Sequence, residues 1–248
     1  MREKTYIVNM LKDVSKKAAM EAQLASHAEL DWQFWEAVEG RRLTPAQQAE
    51  MILPEFRERY GRSATLPAAG CSLSHIGIYR DMVANDISHA LILEDDARLQ
   101  PDLHLDKIKG LIETDRPVAV LLTSDFWYTN IPVSNIDGKH SIFLVYEGYM
   151  TSGYMINKAG AQLLLEHIYP VQYTADAWKI FITFGLNLYG VVPHIISYPE
   201  DFGEIGRSQI SEDEPIILKI RHFCGKQKAK LYSYIFRLRG CRHSVRKW

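Results

Sequence analysis

The sequence has 248 residues, of which 47% are hydrophobic, and its formal net charge is −1. This length and composition fit one large globular domain and exclude a disordered chain. The three cysteines, Cys71, Cys224 and Cys241, are odd in number and widely spaced. They therefore argue against a disulfide framework or a cysteine-based zinc motif, and they favour a reducing compartment. No apolar run approaches the length of a membrane span, and the first residues lack the pattern of a signal peptide.

The near-zero total charge hides an uneven distribution. From Lys219 onward the chain has ten Lys or Arg residues and no Asp or Glu. The preceding residues hold 19 of the 29 basic residues and all 30 acidic residues, a net charge of −11. Bases and apolar residues interleave from residue 216 onward, which is typical of a helix on an anionic membrane surface. The alternative is a helix packed on the domain or on a second subunit. The acidic body argues against nucleic acid as a partner.

The first quarter of the chain alternates between strand and helix patterns. Residues 5–9 and 30–38 are predicted strands, and residues 12–27 between them have helical spacing. Thr44-Pro45-Ala46-Gln47 matches a capping box with proline at the first helical position. It predicts a helix that Pro54 interrupts and that ends near Gly61.

Residues 70–75 read Gly-Cys-Ser-Leu-Ser-His and precede an apolar helical pattern. We predict that Ser72 or Ser74 caps a helix running to about Asn85. Such an entry would present backbone N–H groups and the positive end of the helix dipole to an anion. The alternative for His75 is a helix histidine with a local hydrogen bond.

The next predicted strand ends in three consecutive carboxylates. Residues 90–93 are all apolar, which predicts a strand buried on both faces, and Glu94-Asp95-Asp96 follow directly. Open α/β sheets bind ligands at the carboxyl ends of their strands. Adjacent acids repel one another, and carboxylate oxygens suit Mg²⁺ or Mn²⁺, so we expect a divalent metal on a phosphorylated substrate. The alternative is a solvated acidic turn.

The later patterns continue the alternation. A helix is predicted over residues 103–112 and a strand over residues 117–122, which leads to Asp125. Residues 126–138 are predicted to form a long polar loop, followed by a strand over residues 141–146. Asn157 is the predicted cap of a helix that ends before Pro170, and a helix over residues 175–184 would carry Asp176 in its first turn. The last predicted strand covers residues 190–198, and residues 204–210 form a polar loop.

Four segments resemble glycosyltransferase family 25, which includes lipooligosaccharide galactosyltransferases of Gram-negative bacteria and their collagen-modifying relatives. They are residues 6–9 (Tyr-Ile-Val-Asn), 70–75, 91–96, and 151–161 (Thr-Ser-Gly-Tyr-Met-Ile-Asn-Lys-Ala-Gly-Ala). The resemblance covers roughly residues 5–210. It implies an α/β fold of the GT-A type, with a mixed central sheet and helices on both faces. It departs from the family at Ala68-Ala69, where an acid is usual, and at Lys16-Lys17, where arginines are usual.

The resemblance also implies roles for individual residues. Asp96 would be the first metal ligand, and Glu94 would contact the ribose or a metal-bound water. His194 would complete the metal shell, although a strand-end histidine without a ligand role is the alternative. Asp176 would be the general base that deprotonates the acceptor hydroxyl, with Asp125 as the competitor. The residues expected to hold the nucleotide-sugar donor are Asn9, Gly70, Ser72, Ser74, His75, Glu94, Asp95, Ser152 and Gly153.

From these features we expect a catalytic domain over residues 1–215 and a basic, aromatic tail over residues 216–248. The expected activity is an inverting β-1,4-galactosyl transfer from UDP-galactose to a sugar hydroxyl of the lipooligosaccharide core, with Mn²⁺ or Mg²⁺. The tail would hold the enzyme at the cytoplasmic face of the inner membrane or serve a homodimer. The alternatives are a metal-dependent nucleotide-sugar hydrolase or nucleotidyltransferase, and a non-catalytic glycan-assembly protein.

Overall fold

The computed structural model describes residues 2–61, 65–198 and 240–244. Within these ranges the chain forms eleven strands, seven α-helices and one short 3₁₀ helix at Gly40–Arg42. In chain order the other elements are β1 (Glu3–Asn9), α1 (Val14–Leu24), β2 (Leu30–Glu36), α2 (Pro45–Met51), α3 (Pro54–Tyr60), α4 (Leu66–Ala84), β3 (His89–Glu94), β4 (Arg98–Leu99), α5 (Leu105–Ile112), β5 (Val118–Leu121), β6 (Phe126–Asn135), β7 (Ser141–Gly148), β8 (Gly153–Asn157), α6 (Lys158–Ile168), α7 (Trp178–Thr183), β9 (Asn187–Val192), β10 (Ile196–Ser197) and β11 (Arg242–His243).

Nine strands form one mixed sheet in the order β11-β6-β7-β9-β5-β8-β3-β1-β2. β1 is parallel to β2 and β3, and β5 is parallel to β9, whereas β8 runs antiparallel between β3 and β5. The carboxyl ends of β1, β3, β5 and β9 therefore lie at the same edge as the amino end of β8. The predicted α/β fold with a mixed central sheet is confirmed.

Alternate residues of β3 show how the sheet is buried on both faces. Ala90 and Ile92 pack with α4, α6 and α7 on one face, whereas Leu91 and Leu93 pack with α1 and α5 on the other. All four side chains are completely buried. Because both faces are covered by helices, this strand has only apolar side chains between His89 and Glu94.

The cap predicted for α4 at Ser72 or Ser74 is wrong. The helix begins at Leu66, and the Thr65 side chain accepts a hydrogen bond of 3.2 Å from the backbone N–H of Ala68. Residues 70–75 therefore lie inside the helix. Gly70 is required there by packing, because a Cβ atom at this position would lie 2.4 Å from the carbonyl oxygen of Val38.

Three other predictions need correction. The predicted polar loop at residues 126–138 is largely β6, whose residues Trp127 and Tyr128 are buried. The predicted helix over residues 175–184 starts only at Trp178, so that Asp176 lies in the turn before it. The strand predicted over residues 190–198 is two strands, β9 and β10, and β10 pairs with β4 rather than with the main sheet.

Two predicted caps are confirmed by their hydrogen bonds. Thr44 and Gln47 form the reciprocal capping box at the start of α2. Asn157 caps α6, where its Oδ1 accepts a hydrogen bond of 2.8 Å from the backbone N–H of Gly160.

Of the predicted tail, residues 240–244 are described, and Arg242–His243 form a strand of the main sheet. β11 pairs antiparallel with β6, with Arg242 opposite Tyr128 and His243 opposite Trp127. The rest of the tail and the loop at residues 204–210 lie outside the described residues. Among the described helices, none has the length and apolar character needed to cross a membrane.

Candidate active site

Several of the predicted site residues lie at the edge where the parallel strands end. Asn9 ends β1, Glu94 ends β3, and Thr151-Ser152 lead into β8. The backbone N–H of Glu94 donates a hydrogen bond of 3.2 Å to the carbonyl oxygen of Ser152, which joins the last two segments. This edge therefore gathers acids and hydroxyls from segments far apart in the sequence.

Asp95 is held by two side chains. Its Oδ2 accepts a hydrogen bond of 2.8 Å from the Asn9 amide, and its Oδ1 pairs with Nζ of Lys16 at 3.0 Å. Burial alone would lower the pKa of Lys16, but the charges of Asp95 and Asp96 raise it. Lys16 therefore remains protonated and neutralises part of the acidic cluster. It is one of the two lysines at which the sequence departs from the arginines usual in the family.

Glu94 lies between Thr151 and His75. The Thr151 hydroxyl donates a hydrogen bond to Glu94 Oε1, and His75 Nε2 lies 3.8 Å from the same oxygen. The latter distance is too long for a hydrogen bond, so that the contact is electrostatic. Burial raises the pKa of Glu94, but the contributions of His75, Thr151 and Lys16 outweigh it and lower the pKa overall. Glu94 is therefore a carboxylate at neutral pH.

A buried chain of polar side chains fixes the His75 ring. His75 Nδ1 lies 2.7 Å from the Tyr154 hydroxyl, which in turn lies 2.7 Å from the Tyr79 hydroxyl. Burial raises the pKa of both tyrosines well above the usual value. Both phenols stay protonated, and the chain orients His75 with Nε2 facing Glu94.

Asp96 differs from its two acidic neighbours. Burial and the charge of Glu94 raise its pKa to about 6. Its Oδ1 is buried and has no hydrogen-bond partner among the residues that the structure describes. A buried carboxylate oxygen without a donor is costly unless a cation or proton satisfies it. This atom, beside the ionised Glu94, fits the divalent metal that the sequence predicts.

The three predicted metal ligands, Asp96, Glu94 and His194, do not form one compact cluster. In the described part of the chain, two groups of three potential ligand atoms lie within 4.8 Å of one another, and neither includes Asp96 or His194. One group is Cys71, His75 and Glu94. Burial, Glu94 and Asp176 raise the pKa of Cys71 well above its usual value, so that it is a thiol. The carboxylates are therefore the ligands that best suit Mg²⁺ or Mn²⁺ here.

His194 lies near Asp125 instead. Burial lowers the pKa of His194, against the opposing effect of the Asp125 charge. The Asp125 carboxylate also accepts a hydrogen bond from the Tyr198 hydroxyl. These contacts arise because β5 and β9 are neighbours, which brings the residues after their carboxyl ends together.

Asp176 lies in the turn before α7, near Cys71. Its charge and that of Glu94 both act on the Cys71 thiol. The backbone N–H of Met150 donates a hydrogen bond of 3.4 Å to Asp176 Oδ2, and the Met150 carbonyl accepts one of 2.9 Å from the Trp178 indole. The turn before α7 thus positions Asp176 near the residues that precede β8.

The expected anion cradle at residues 70–75 is not present in that form. Because α4 starts at Leu66, the N–H groups of Gly70, Ser72 and Ser74 belong to the interior of the helix. The Ser72 hydroxyl donates to the carbonyl of Ala68, and the Ser74 hydroxyl donates to that of Gly70. From this segment, Cys71 and His75 lie at the site, in one group with Glu94.

Ser152 and Gly153 lie beside the acidic end of β3. The Ser152 hydroxyl is buried and lacks a hydrogen-bond partner among the described residues. A Cβ atom on Gly153 would lie 2.9 Å from the Ile196 side chain, so that glycine permits this close packing. The buried Ser152 hydroxyl is therefore a further unsatisfied polar group beside the acidic cluster, in addition to Asp96 Oδ1 and His75 Nε2.

Four residues at the site carried no predicted role: Lys16, Cys71, Thr151 and Tyr154. Cys71, Thr151 and Tyr154 lie within the segments that resemble the family, and Lys16 occupies a position where the family usually has arginine. Those signals could have found them. Their contacts depend on strand pairing, which spacing along the chain does not specify.

Comparison with known proteins shows which family this chain resembles. Residues 2–178 match the model for glycosyltransferase family 25, described as an LPS biosynthesis protein family. Procollagen galactosyltransferase 1-B of Xenopus laevis is 26% identical over 244 residues, which cover 87% of this chain and 39% of that protein. The human inactive glycosyltransferase 25 family member 3 is 24% identical over 175 residues, covering 66% of this chain and 28% of that protein. The chain thus spans less than half the length of these relatives.

A solved glycosyltransferase involved in glycosylation of the major capsid of PBCV-1 is similar with a TM-score of 0.35 and 11% identity, covering 84% of this chain and 98% of that one. The family match covers most of the chain, including the acidic end of β3 and the residues before β8. The chain belongs to glycosyltransferase family 25.

Proposed function

We propose that the protein is an inverting galactosyltransferase that uses UDP-galactose and a lipooligosaccharide core acceptor. Family membership supports glycosyl transfer in general, and the donor and acceptor are the finer part of the proposal. The main support for the proposal is the state of Asp96. Its buried Oδ1 lacks a partner within the described residues, and its pKa is raised to about 6. Such a carboxylate is suited to bind a divalent cation that is also bound to the donor diphosphate.

Asp96 and Glu94 would hold a Mn²⁺ or Mg²⁺ ion together with the donor diphosphate. When bound, such an ion neutralises the departing diphosphate as a Lewis acid. The protein keeps Glu94 ionised through Thr151 and His75 and restrains Asp95 through Asn9 and Lys16. The acids are thus set in place before the donor arrives, which reduces the reorganisation needed on binding.

Asp176 would take the proton from the acceptor hydroxyl. In an inverting displacement, the base lies on the face of the sugar opposite the leaving group. Asp176 lies near the acidic cluster, since its charge and that of Glu94 act on the same thiol, that of Cys71. Asp125 is the competing base, but its carboxylate is engaged by the Tyr198 hydroxyl.

The remaining groups would bind the donor and acceptor. Asn9, at the end of β1, would lie near the uracil or ribose, and Ser152 and Gly153 would line the galactose side. The basic residues from Lys219 onward would hold the enzyme at the cytoplasmic face of the inner membrane of a Gram-negative bacterium, with a homodimer contact as the alternative. On this proposal, residues 1–215 supply the chemistry and residues 216–248 the localisation.

A non-catalytic role in glycan assembly is the second candidate. It is favoured by one observation, the similarity to the human family member described as inactive. Product formation distinguishes the two candidate functions. A non-catalytic protein can be stabilised by UDP, but it forms no product from any donor.

The proposal is tested by mass spectrometry of products formed from a panel of UDP-sugars with truncated lipooligosaccharide acceptors. We expect a hexose adduct from UDP-galactose that depends on added Mn²⁺ or Mg²⁺ and disappears in Asp96→Asn. A control without acceptor separates transfer from hydrolysis, because a hydrolase would release free galactose at its full rate. Absence of product with every donor, together with UDP-dependent thermal stabilisation, would favour the non-catalytic role.

A further inference from the structure

A second group of metal-ligand side chains lies outside the candidate active site. His104 precedes α5, and Asp137 and His140 lie in the turn between β6 and β7. His104 Nε2 lies 3.1 Å from Asp137 Oδ2, and His140 Nδ1 lies 2.9 Å from the same oxygen. Two imidazole nitrogens therefore converge on one carboxylate oxygen from two separate segments.

The other oxygen of Asp137 is already occupied. Asp137 Oδ1 accepts hydrogen bonds of 2.6 Å from the backbone N–H groups of Lys139 and His140. These bonds fix the orientation of the carboxylate and leave Oδ2 facing the two imidazoles. The turn therefore presents a preorganised single oxygen ligand.

The contacts of His104 also fit a metal site. Its Nδ1 lies 3.3 Å from Asp102 Oδ2, while its Nε2 faces Asp137. A neutral imidazole has only one N–H, so that its second nitrogen directs a lone pair at a carboxylate unless that nitrogen holds a proton or a metal ion. With a metal on Nε2, the Nδ1–H would donate to Asp102, which is the common carboxylate–histidine–metal arrangement.

The Nε2 atom of His140 does not help to decide whether a metal is bound. Its Nε2 is buried and lacks a hydrogen-bond partner in the described ranges. This atom would be a bare lone pair in the absence of metal and an unpaired N–H in its presence. The argument therefore depends on His104 and on the convergence at Asp137.

We propose that His104, Asp137 and His140 form a zinc site that joins the β6–β7 turn to the loop before α5. Two imidazoles and one carboxylate are a ligand set that Zn²⁺ takes, with water in a fourth position, whereas Mg²⁺ prefers oxygen alone. The Asp137 and His104 side chains are 33% and 21% exposed, which leaves a path for the ion. Leu103 and Ile136, each next to a ligand in sequence, pack in one core cluster beneath the site.

The test uses the full chain, stripped of metal with EDTA, loaded with ZnCl₂ and desalted. Zinc is measured by plasma mass spectrometry, and its affinity by competition with a chromophoric chelator. We expect His104→Ala, Asp137→Asn and His140→Ala each to bind one equivalent of zinc less than the wild type. Asp102→Asn should retain the equivalent with an affinity weakened roughly 10–100-fold.

Two controls separate this site from other zinc binding. His167→Ala removes an exposed imidazole that stacks on Phe184, and it should bind as much zinc as the wild type. Asp96→Asn alters the candidate active site, and it should still bind the zinc equivalent assigned to His104, Asp137 and His140. Zinc should also raise the unfolding temperature of the wild type more than that of Asp137→Asn, a variant that keeps the side-chain shape. Equal zinc content in wild type and His104→Ala, or no bound zinc in the wild type, would overturn the proposal.

Discussion

The side-chain amide of Asn9 donates a hydrogen bond of 2.8 Å to Asp95 Oδ2, which links the end of β1 to the residue after β3. Lys16 engages the other carboxylate oxygen at 3.0 Å. The adjacent Asp96 instead has a buried Oδ1 without a partner in the described part of the chain. Two consecutive aspartates therefore have different tasks, since one restrains the loop and the other remains available to a substrate or ion.

This difference predicts unequal effects of removing the two charges. Asp96→Asn should reduce transfer at least ~100-fold, because an ion that stabilises the leaving group is worth several kcal/mol. Asp95→Asn should cost less, because its role is to position the loop. Initial rates at saturating donor and Mn²⁺ measure both variants. A larger loss in Asp95→Asn than in Asp96→Asn would contradict the assignment.

Asp96 should also make the stability of the metal-free protein depend on pH. Its folded-state pKa of about 6, raised by burial and by Glu94, exceeds the unfolded value of about 3.9. The folded state therefore binds this proton more tightly, and the free energy of unfolding falls as pH rises from about 4 to about 6. Asp96→Asn removes that loss and should raise the free energy of unfolding by ~1–3 kcal/mol at pH 7.5 in EDTA.

Urea denaturation of both proteins at several pH values checks this. The two curves should converge below about pH 3, where Asp96 is protonated in both states. A variant that is no more stable than the wild type at pH 7.5 would show that the carboxylate has another partner.

Thr151 should affect both stability and catalysis. Thr151→Val keeps the shape of the side chain but removes the hydrogen bond to Glu94, which should cost ~1.5–3 kcal/mol because the acceptor is charged. Thr151→Ser retains the hydroxyl and serves as the control. We expect the KM for the nucleotide sugar to rise in the valine variant and to change little in the serine variant. Equal kinetics in the two variants would remove Thr151 from the site.

The choice of general base is open to a direct comparison. Asp176→Asn should lower kcat by ~10²–10⁴ if Asp176 removes the acceptor proton. Asp125→Asn should lower it less, because that carboxylate accepts the Tyr198 hydroxyl and lies beside His194. Thermal unfolding of both variants controls for misfolding. The reverse order of kcat values would assign the proton transfer to Asp125.

A matched pair of glycines tests the packing behind the site. A Cβ atom on Gly70 would lie 2.4 Å from Val38 O and 2.6 Å from Gly40 N, whereas one on Gly110 would meet nothing within 4 Å. Gly70→Ala should destabilise the protein by ~1–3 kcal/mol, since backbone on both sides must move. Gly110→Ala, in helix α5, should be neutral or gain ~0.5–1 kcal/mol. Similar unfolding temperatures for the two variants would contradict this account of α4.

The sequence was most informative where a local pattern coincides with the tertiary environment. Residues 90–96 are an apolar run followed by acids, and they form a doubly buried strand whose end lies at the site. Thr44 and Asn157 are caps whose hydrogen bonds are local, so that their roles follow from a few neighbouring residues.

The errors arose where distant segments decide the structure. Gly70 suggested the entry to a helix, but it lies within α4, where Gly40 and Val38 pack against it. The polar residues of β6 suggested a loop, but from Thr129 onward this strand has partly or fully exposed side chains and pairs with β7 and β11. The contact of Thr151 with Glu94 follows from pairing of β3 with β8, which no spacing in the sequence specifies.

The pairing of β11 with β6 has a consequence for the order in which the protein is assembled. Arg242 follows its partner Tyr128 by more than a hundred residues. During synthesis, Trp127 and Tyr128 at the outer edge of β6 have no β11 partner until Arg242 and His243 have left the ribosome. An open strand edge is prone to pair with another chain. A nascent chain without residues 240–244 is therefore exposed to aggregation for a time, and a shortened chain without them is exposed permanently.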